Sequence, residues 1–511
     1  VSKSKIILVA LVWLGLLAVG VSIWKLVLQP VRDQKEQEIA KQKAEAGIDA
    51  TTGTSRYTQE VTIGLDSFSG YAILRTSEFQ NQLANRQIKL NLADDGADYT
   101  ARAAALEKGT LQFAVFPVDA LIKTFSKLEY PPATIIAIID ETRGADAMLA
   151  YKTKFNSVDD LNSPDVRFVL VGDSPSETLA RVVIQDFGLQ NVTAKSIDSV
   201  ASPEKLMERY RLATPSTNEV YVTWEPFVSQ MRKNDAIRVL TDSSKFTGYI
   251  VDTLVVNRDF LLKHEPIVEG VLESYFTSLF AYRDKSKLAQ LMLEDAKKTK
   301  LQLDADQAEH LISGIQWKNT QENFAHFGLR PGAILHVEQI LERVSKVLAA
   351  TEAIDRNPAG SKWNRLYFDR PIKQLMTRNF YPGVESESIR EEAVLKALSP
   401  EQWATLVSVG TLSVPELVYA RGSSTLSERS RAILDELVTK LQAWPQYYLM
   451  IRGNASHVGD VEANRQLADR RAQGALEYLL SAGIAKERMR MMPGEVTGET
   501  RVTFSVGEIP Y

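Results

Sequence analysis

The chain has 511 residues, 44% hydrophobic and 24% charged, with a net charge of −4 and no cysteine. That length gives about three globular units at roughly 150 residues each, with ample apolar material for their cores. The mild acidity and the lack of a Lys/Arg-rich block exclude a nucleic-acid-binding face. The missing cysteines exclude disulfides, thiolate metal sites and cysteine nucleophiles, which is compatible with a periplasm.

Residues 6–24 carry no charge, with Ser22 their only clearly polar side chain. As a helix they span about 28 Å, the thickness of a bilayer core. Trp24 and Lys25 close the run as interface residues do, and no small-residue cleavage site comes after it, so an uncleaved signal anchor over residues 1–30 is expected. Lysines before and after the run leave its orientation to be set by the downstream domains. Residues 31–57 are rich in helix formers of mixed charge, then Gly, Thr and Ser, and read as a helical or flexible stalk.

From residue 58 the pattern alternates between short apolar strands and helices. Residues 61–65, 111–115, 133–139, 166–171 and 220–223 read as strands, and Asp66, Asp119, Asp140, Asp173 and Glu225 lie at or just after their carboxyl ends. This alternation argues parallel α/β sheets, whose ligands sit beyond the carboxyl ends of the strands. The turns 66–70 and 172–177 bring Ser67, Ser69, Ser174 and Ser176 to the same edge, with Trp224 beside Glu225.

The strand and glycine turn near residue 61, residues 103–109, the segment Gly144-Ala145-Asp146-Ala147, the run 157–161 and Thr223-Trp224-Glu225-Pro226, in that order, resemble periplasmic solute-binding proteins of the sulfonate, nitrate and thiamine-precursor type in ABC transport. The resemblance covers about residues 58–345 and implies two α/β lobes that close on a small solute. The expected ligand-binding residues are Asp66, Ser67, Ser69, Asp119, Asp140, Ser174, Ser176, Trp224 and Glu225. Ser174, Pro175 and Glu177 form a capping pattern, so Ser174 is expected to cap its helix, with the alternative that the amides there hold an anion. Five acidic groups against Arg143 as the nearest cation favour an amine-bearing, zwitterionic or neutral ligand.

Residues 346–410 are helical and irregular and are expected to extend the second lobe and connect it onward. The last unit, residues 411–511, reads as a compact α+β domain: strands at 414–420, 447–452, 489–492 and 501–506, one helix ending before Pro445 and another capped by Gly483. Its Gly453, Gly459, Asn464, Leu467, Arg471 and Ala472 stand at the spacing of the OmpA/MotB-like peptidoglycan-binding family, which they resemble. That resemblance implies that Asn464, Arg471 and the position of Ser456 meet the wall peptide, Arg471 on its carboxylate. Ser456 stands where the family has an aspartate for the peptide's ammonium. A hydroxyl replaces a charge-assisted acceptor there, so a weaker grip is expected.

The five histidines show no metal-ligand spacing, and no nucleophile elbow, P-loop or dinucleotide motif occurs. The expectation is a non-enzyme without cofactor or metal. The fold class is a two-lobed α/β binding-protein fold with a C-terminal α+β OmpA-like domain behind one transmembrane helix. The expected function is that of an inner-membrane-anchored periplasmic receptor or sensor for a small solute, attached to peptidoglycan or an envelope partner. The alternative is a structural subunit of an envelope or stator-like complex, using the fold as a scaffold for a multi-helix membrane partner or a second copy. Residues 6–24 hold no carboxylate of the kind a proton-driven stator helix needs.

Overall fold

The computed structural model describes residues 57–332, 334–360, 362–380, 382, 395–498 and 500–509. The expected anchor, the stalk up to residue 56 and residues 383–394 of the connector lie outside them. Among the described residues no helix is long and apolar enough to cross a membrane.

The first lobe is built on a six-stranded sheet of β1 (Gln59–Leu65), β2 (Ile88–Asp94), β3 (Phe113–Pro117), β4 (Ala133–Thr142), β10 (Val251–Asn257) and β11 (Ile315–Trp317), in the order β11-β4-β10-β3-β1-β2. The second has β5 (Asp146–Tyr151), β6 (Arg167–Val171), β7 (Ile197–Val200), β8 (Glu219–Trp224) and β9 (Ile237–Asp242), in the order β7-β6-β8-β5-β9. Strands β3, β4 and β10 are buried along their whole length, as continuous apolar strands covered on both faces must be.

The sheets are mixed, where wholly parallel ones were expected. β10 runs antiparallel to β3 and β4, and β5 antiparallel to β8 and β9. The cause is the path of the chain, which leaves the first lobe after β4, enters the second as β5, and returns after β9 as β10. A strand that enters from the hinge runs against neighbours whose carboxyl ends point to it. The two crossings, residues 143–145 and 243–250, lie side by side: the Ser243 hydroxyl accepts from the amides of Gly144 (2.8 Å) and Asp146 (3.2 Å), and Thr142 N–H donates to Ile250 O (3.0 Å).

The helix Val337–Ala350 runs across the expected boundary at residue 345 and buries Val344, Val347 and Leu348. Residues 351–380 then pack on the first lobe, where an extension of the second was expected. Arg356 donates to Ser126 O (2.7 Å), and Ile135 in β4 exchanges backbone hydrogen bonds with Leu366 and Phe368 (2.8 Å each). The apolar side chains Ile354, Leu366, Ile372 and Leu375 are what this segment has to bury.

The C-terminal sheet has the order β12-β15-β13-β14, with β12 (Val407–Thr411), β13 (Tyr448–Asn454), β14 (Met489–Met491) and β15 (Arg501–Glu508). Its first strand therefore precedes residue 411, and the strand expected at 414–420 is irregular chain. Pro415 there has no N–H to give a ladder. The helices Glu428–Ala443 and Val461–Ser481 cover one face, and Trp403 packs on Tyr448 and Met450 on the other. A Cβ on Gly453 would stand 2.2 Å from the Ala468 carbonyl oxygen, so glycine lets the second helix lie against β13.

Candidate functional site

A cavity of about 560 Å³ opens between the two lobes, at the carboxyl ends of β1, β6 and β8. Asp66, Phe68, Tyr71, Tyr99 and Asp252 line it from the first lobe, and Asp146, Asp173, Ser174, Trp224 and Glu225 from the second. The turn after β1 is folded by Asp66 Oδ1, which accepts Phe68 N–H (3.0 Å). A Cβ on Gly70 would meet Asp140 Oδ2 at 2.6 Å, so this glycine allows the turn to close over Asp140. The Tyr71 hydroxyl then donates to Asp252 Oδ1 (2.7 Å).

Carboxylates dominate the charge of the cleft. Asp66 is balanced by the buried Arg102 (3.1 Å), which also holds Asp95 and lies against the Tyr99 ring. Glu225 accepts from the hydroxyl (2.9 Å) and amide (3.1 Å) of Ser229. Asp252 and Asp140 are register partners on β10 and β4, and both are fully buried. Burial pushes Asp140 up to about 7, and burial followed by the Asp140 charge pushes Asp252 well above the usual carboxylate range. Burial also lifts Asp146 to about 7, although the Ser176 hydroxyl donates to it (2.7 Å).

Lys123 and Asp119 tie the lobes together. The Lys123 ammonium, on the first-lobe helix Val118–Ser126, pairs with Asp173 and with Glu177 (3.0 Å) of the second lobe. From the same helix Asp119 accepts the Thr178 hydroxyl, and burial raises its proton affinity.

Of the residues expected at the ligand, Asp66, Ser67, Ser69, Ser174, Trp224 and Glu225 line the cavity. Asp119, Asp140 and Ser176 do not: Asp119 joins the lobes, Asp140 lies beneath the turn, and Ser176 supports Asp146. Ser174 does not cap its helix with its side chain as expected, because its hydroxyl donates to Val171 O (2.7 Å). Glu177 instead reaches back to Asp173 N–H (2.7 Å), placing a carboxylate at the helix N-terminus where an anion would sit. Sequence reasoning missed Asp146 and Asp252. Attention to strand carboxyl ends passes over them, since β5 and β10 run the other way and present their first residues to the cleft. Tyr71, Tyr99 and Lys123, in helical segments, carried no strand-end signal.

In the C-terminal domain Asn464 Nδ2 donates to Ser456 O (3.1 Å) and Val458 O (2.9 Å), which shapes the loop before the helix. The Ser456 hydroxyl accepts Val458 N–H (3.1 Å). Arg471 stacks on Tyr419 (4.4 Å) and donates through Nε to Ser423 O (3.0 Å). Among the described residues no group of three or more acidic or histidine side chains is placed to hold a metal ion.

The C-terminal domain is seated on the second lobe and on the returning crossing. Trp444 Nε1 donates to Asp186 Oδ2 (2.8 Å), and its ring meets those of Phe187 and Phe246. Tyr447 and Thr241 share a hydroxyl hydrogen bond (2.7 Å), Thr247 N–H donates to Ala443 O (2.8 Å), and Thr411 is held by Asp159 (2.8 Å from its N–H).

Residues 418–505 match the OmpA family. Among solved structures, the chain is similar to the ligand-binding component of an ABC-type import system from Staphylococcus aureus, with 14% identity and a TM-score of 0.46 over 62% of this chain and 99% of that one. It is similar to the periplasmic aliphatic sulphonate-binding protein of Escherichia coli, with 15% identity and a TM-score of 0.47 over 61% of this chain and 99% of that one. The alkanesulfonate-binding protein of Xanthomonas axonopodis pv. citri, bound to MOPS, shares 13% identity and a TM-score of 0.45 over 59% of this chain and 96% of that one. No curated protein matches the chain in sequence. The chain thus carries an OmpA domain at residues 418–505 behind a two-lobed α/β fold.

Proposed function

We propose that this protein is a cell-envelope receptor whose two lobes close on a small solute and whose OmpA domain attaches it to peptidoglycan. The observation that carries the reading is the 560 Å³ cavity between the lobes, which has the size and the mixed aromatic and polar lining of a small-molecule site. Asp66, Ser67, Ser69, Ser174, Trp224 and Glu225 contact the ligand in this reading, together with Tyr71, Tyr99, Asp146 and Asp252. Residues 6–24 anchor the chain in the inner membrane, with the body in the periplasm. The protein performs no chemistry on its ligand.

The OmpA domain contributes Arg471 to the wall peptide's carboxylate, and Ser456 makes its grip on the ammonium weaker than an aspartate would. Since the domain is fastened to the second lobe and the returning crossing, lobe closure is expected to carry it relative to the first lobe.

The test is a thermal-shift screen of the full chain against amines, amino acids, sulfonates, nucleobases and wall fragments. A dose-dependent rise in Tm identifies a ligand by mass action. A folded protein that responds to no class, and to no extract of the envelope, would sink the receptor reading.

A further inference from the structure

We propose, resting on the receptor reading, that the ligand of this cleft is an organic ammonium ion and that it displaces a proton shared by Asp140 and Asp252. The two carboxyls face each other across β4 and β10, where register partners point to the same face of the sheet. Neither is more than 1% exposed, and Asp252 lines the cavity. Both oxygens of Asp140 and Oδ2 of Asp252 receive no hydrogen bond from any donor group, while Tyr71 supplies one to Asp252 Oδ1. Two buried carboxylates in this position cannot both be ionised without a cation, so a proton lies between them when the cleft is empty.

The groups that face the pair supply no cation to replace that proton. Asp66, Tyr71 and Tyr99 face the pair from the first lobe, and Tyr275 from the helix Glu265–Ala281, none of them a cation. The charges of Lys318 and Glu141 also reach Asp140, but Lys318 is bound to Glu141 (2.9 Å), and Arg143 leans on that carboxylate too (3.8 Å). Arg102 is held by Asp66 and Asp95. From the second lobe Asp146 also lines the cavity, 3% exposed and held only by Ser176.

The cleft thus has acceptors without their cation on both lobes, and the aromatic rings of Phe68, Tyr99 and Trp224 lie beside them. That combination suits an ammonium carried on an apolar body. At the helix N-terminus beside Ser174 an anion would meet the Glu177 carboxylate, which already occupies it.

The test is titration calorimetry of the full chain with n-butylammonium, an ion that keeps its charge across the pH range. Propane-1-sulfonate and an envelope extract serve as comparisons. We expect butylammonium to bind about tenfold more tightly for each pH unit gained while the empty pair still holds its proton, since one proton leaves as it enters. Buffers of different ionisation heat should report release of that proton at pH 6. Asp252→Asn should weaken binding at least tenfold. Asp140→Asn should keep binding and move its pH dependence to lower pH, since it removes the Asp140 charge and leaves the burial of Asp252 in place. This reads the same pair if the first variant does not fold. Binding without proton release, or no response to butylammonium, overturns the inference. A response to the sulfonate or the extract in that case leaves the receptor reading standing, whereas no response to anything removes both.

Discussion

Replacing Trp444 by alanine should detach the OmpA domain from the binding lobes. The indole is fully buried, packed on Phe187 and Phe246, stacked with Tyr447 (5.7 Å), and bonded to Asp186. Truncating a buried Trp costs about 3 to 5 kcal/mol in lost packing and cavity formation. Loss of the N–H adds about 1 kcal/mol, near the low end for a stranded partner. The Asp186 carboxyl is already raised by burial, keeps the Tyr249 hydroxyl (3.4 Å), and can escape by taking a proton. A total near 5 kcal/mol compares with about 5 to 15 kcal/mol for a whole domain. Scanning calorimetry of the full chain should show the shared transition split in two, the OmpA domain melting apart from the lobes. Trp444→Phe, which keeps an aromatic ring in place, should lose only about 1 to 3 kcal/mol and keep one transition. A loss below about 1 kcal/mol in Trp444→Ala, with a single transition retained, would refute the claim that this contact fastens the domain.

Four further outcomes are expected. Burial opposes ionisation of Glu141, yet Lys318, Arg143 and the Gly248 amide outweigh it and hold the group at about 2. Its stability contribution, about 3 kcal/mol, is therefore complete above pH 4.5 and lost as pH falls toward 2. Glu141→Gln should flatten that limb of an acid-unfolding curve. Lys123→Met removes the ion pairs that cross the cleft to Asp173 and Glu177 and should widen the molecule in solution scattering while weakening ligand affinity about tenfold. Gly453→Ala drives a methyl into the Ala468 carbonyl and should cost about 3 kcal/mol in urea unfolding. In sedimentation with peptidoglycan sacculi, Arg471→Ala should abolish pelleting and Ser456→Asp should strengthen it about tenfold, the reverse order marking the wall reading as wrong.

The features legible in the sequence are those set by local rules. Short apolar runs mark β1, β3, β4, β6 and β8, and the spacing of Gly453 to Ala472 marks the C-terminal domain, because a helix lying against β13 needs that glycine. Strand direction is not legible. Hydrophobic pattern reads the same in both senses, and β5 and β10 are not among the strands expected from it, so Asp146 and Asp252 at their starts carry no strand-end signal. Side-chain partnership is also hidden: Ser174 and Glu177 have capping spacing, but the Val171 carbonyl and the Asp173 amide compete for them and win. The first strand of the OmpA domain is misplaced by sequence pattern because residues 414–420 are apolar enough to mimic it, whereas β12 is fixed by pairing with β15, about a hundred residues away in sequence.

The hinge explains why buried charge is concentrated where it is. Glu141, at the end of β4, accepts from the Thr247 hydroxyl (2.9 Å) and the Gly248 amide (2.7 Å), so the first lobe holds the returning crossing through a carboxylate that must stay ionised. Thr247 of that crossing also donates its amide to Ala443 of the OmpA domain, and Phe246 beside it packs on Trp444. Asp140, adjacent to Glu141 on β4, belongs to the proton-sharing pair under the cleft. Neighbouring residues of one strand thus meet Asp252 beneath the Gly70 turn on one side and the support of the OmpA domain on the other. The proton-sharing carboxyl and the support of the domain therefore occupy one short segment of backbone, their side chains directed to opposite faces of the strand.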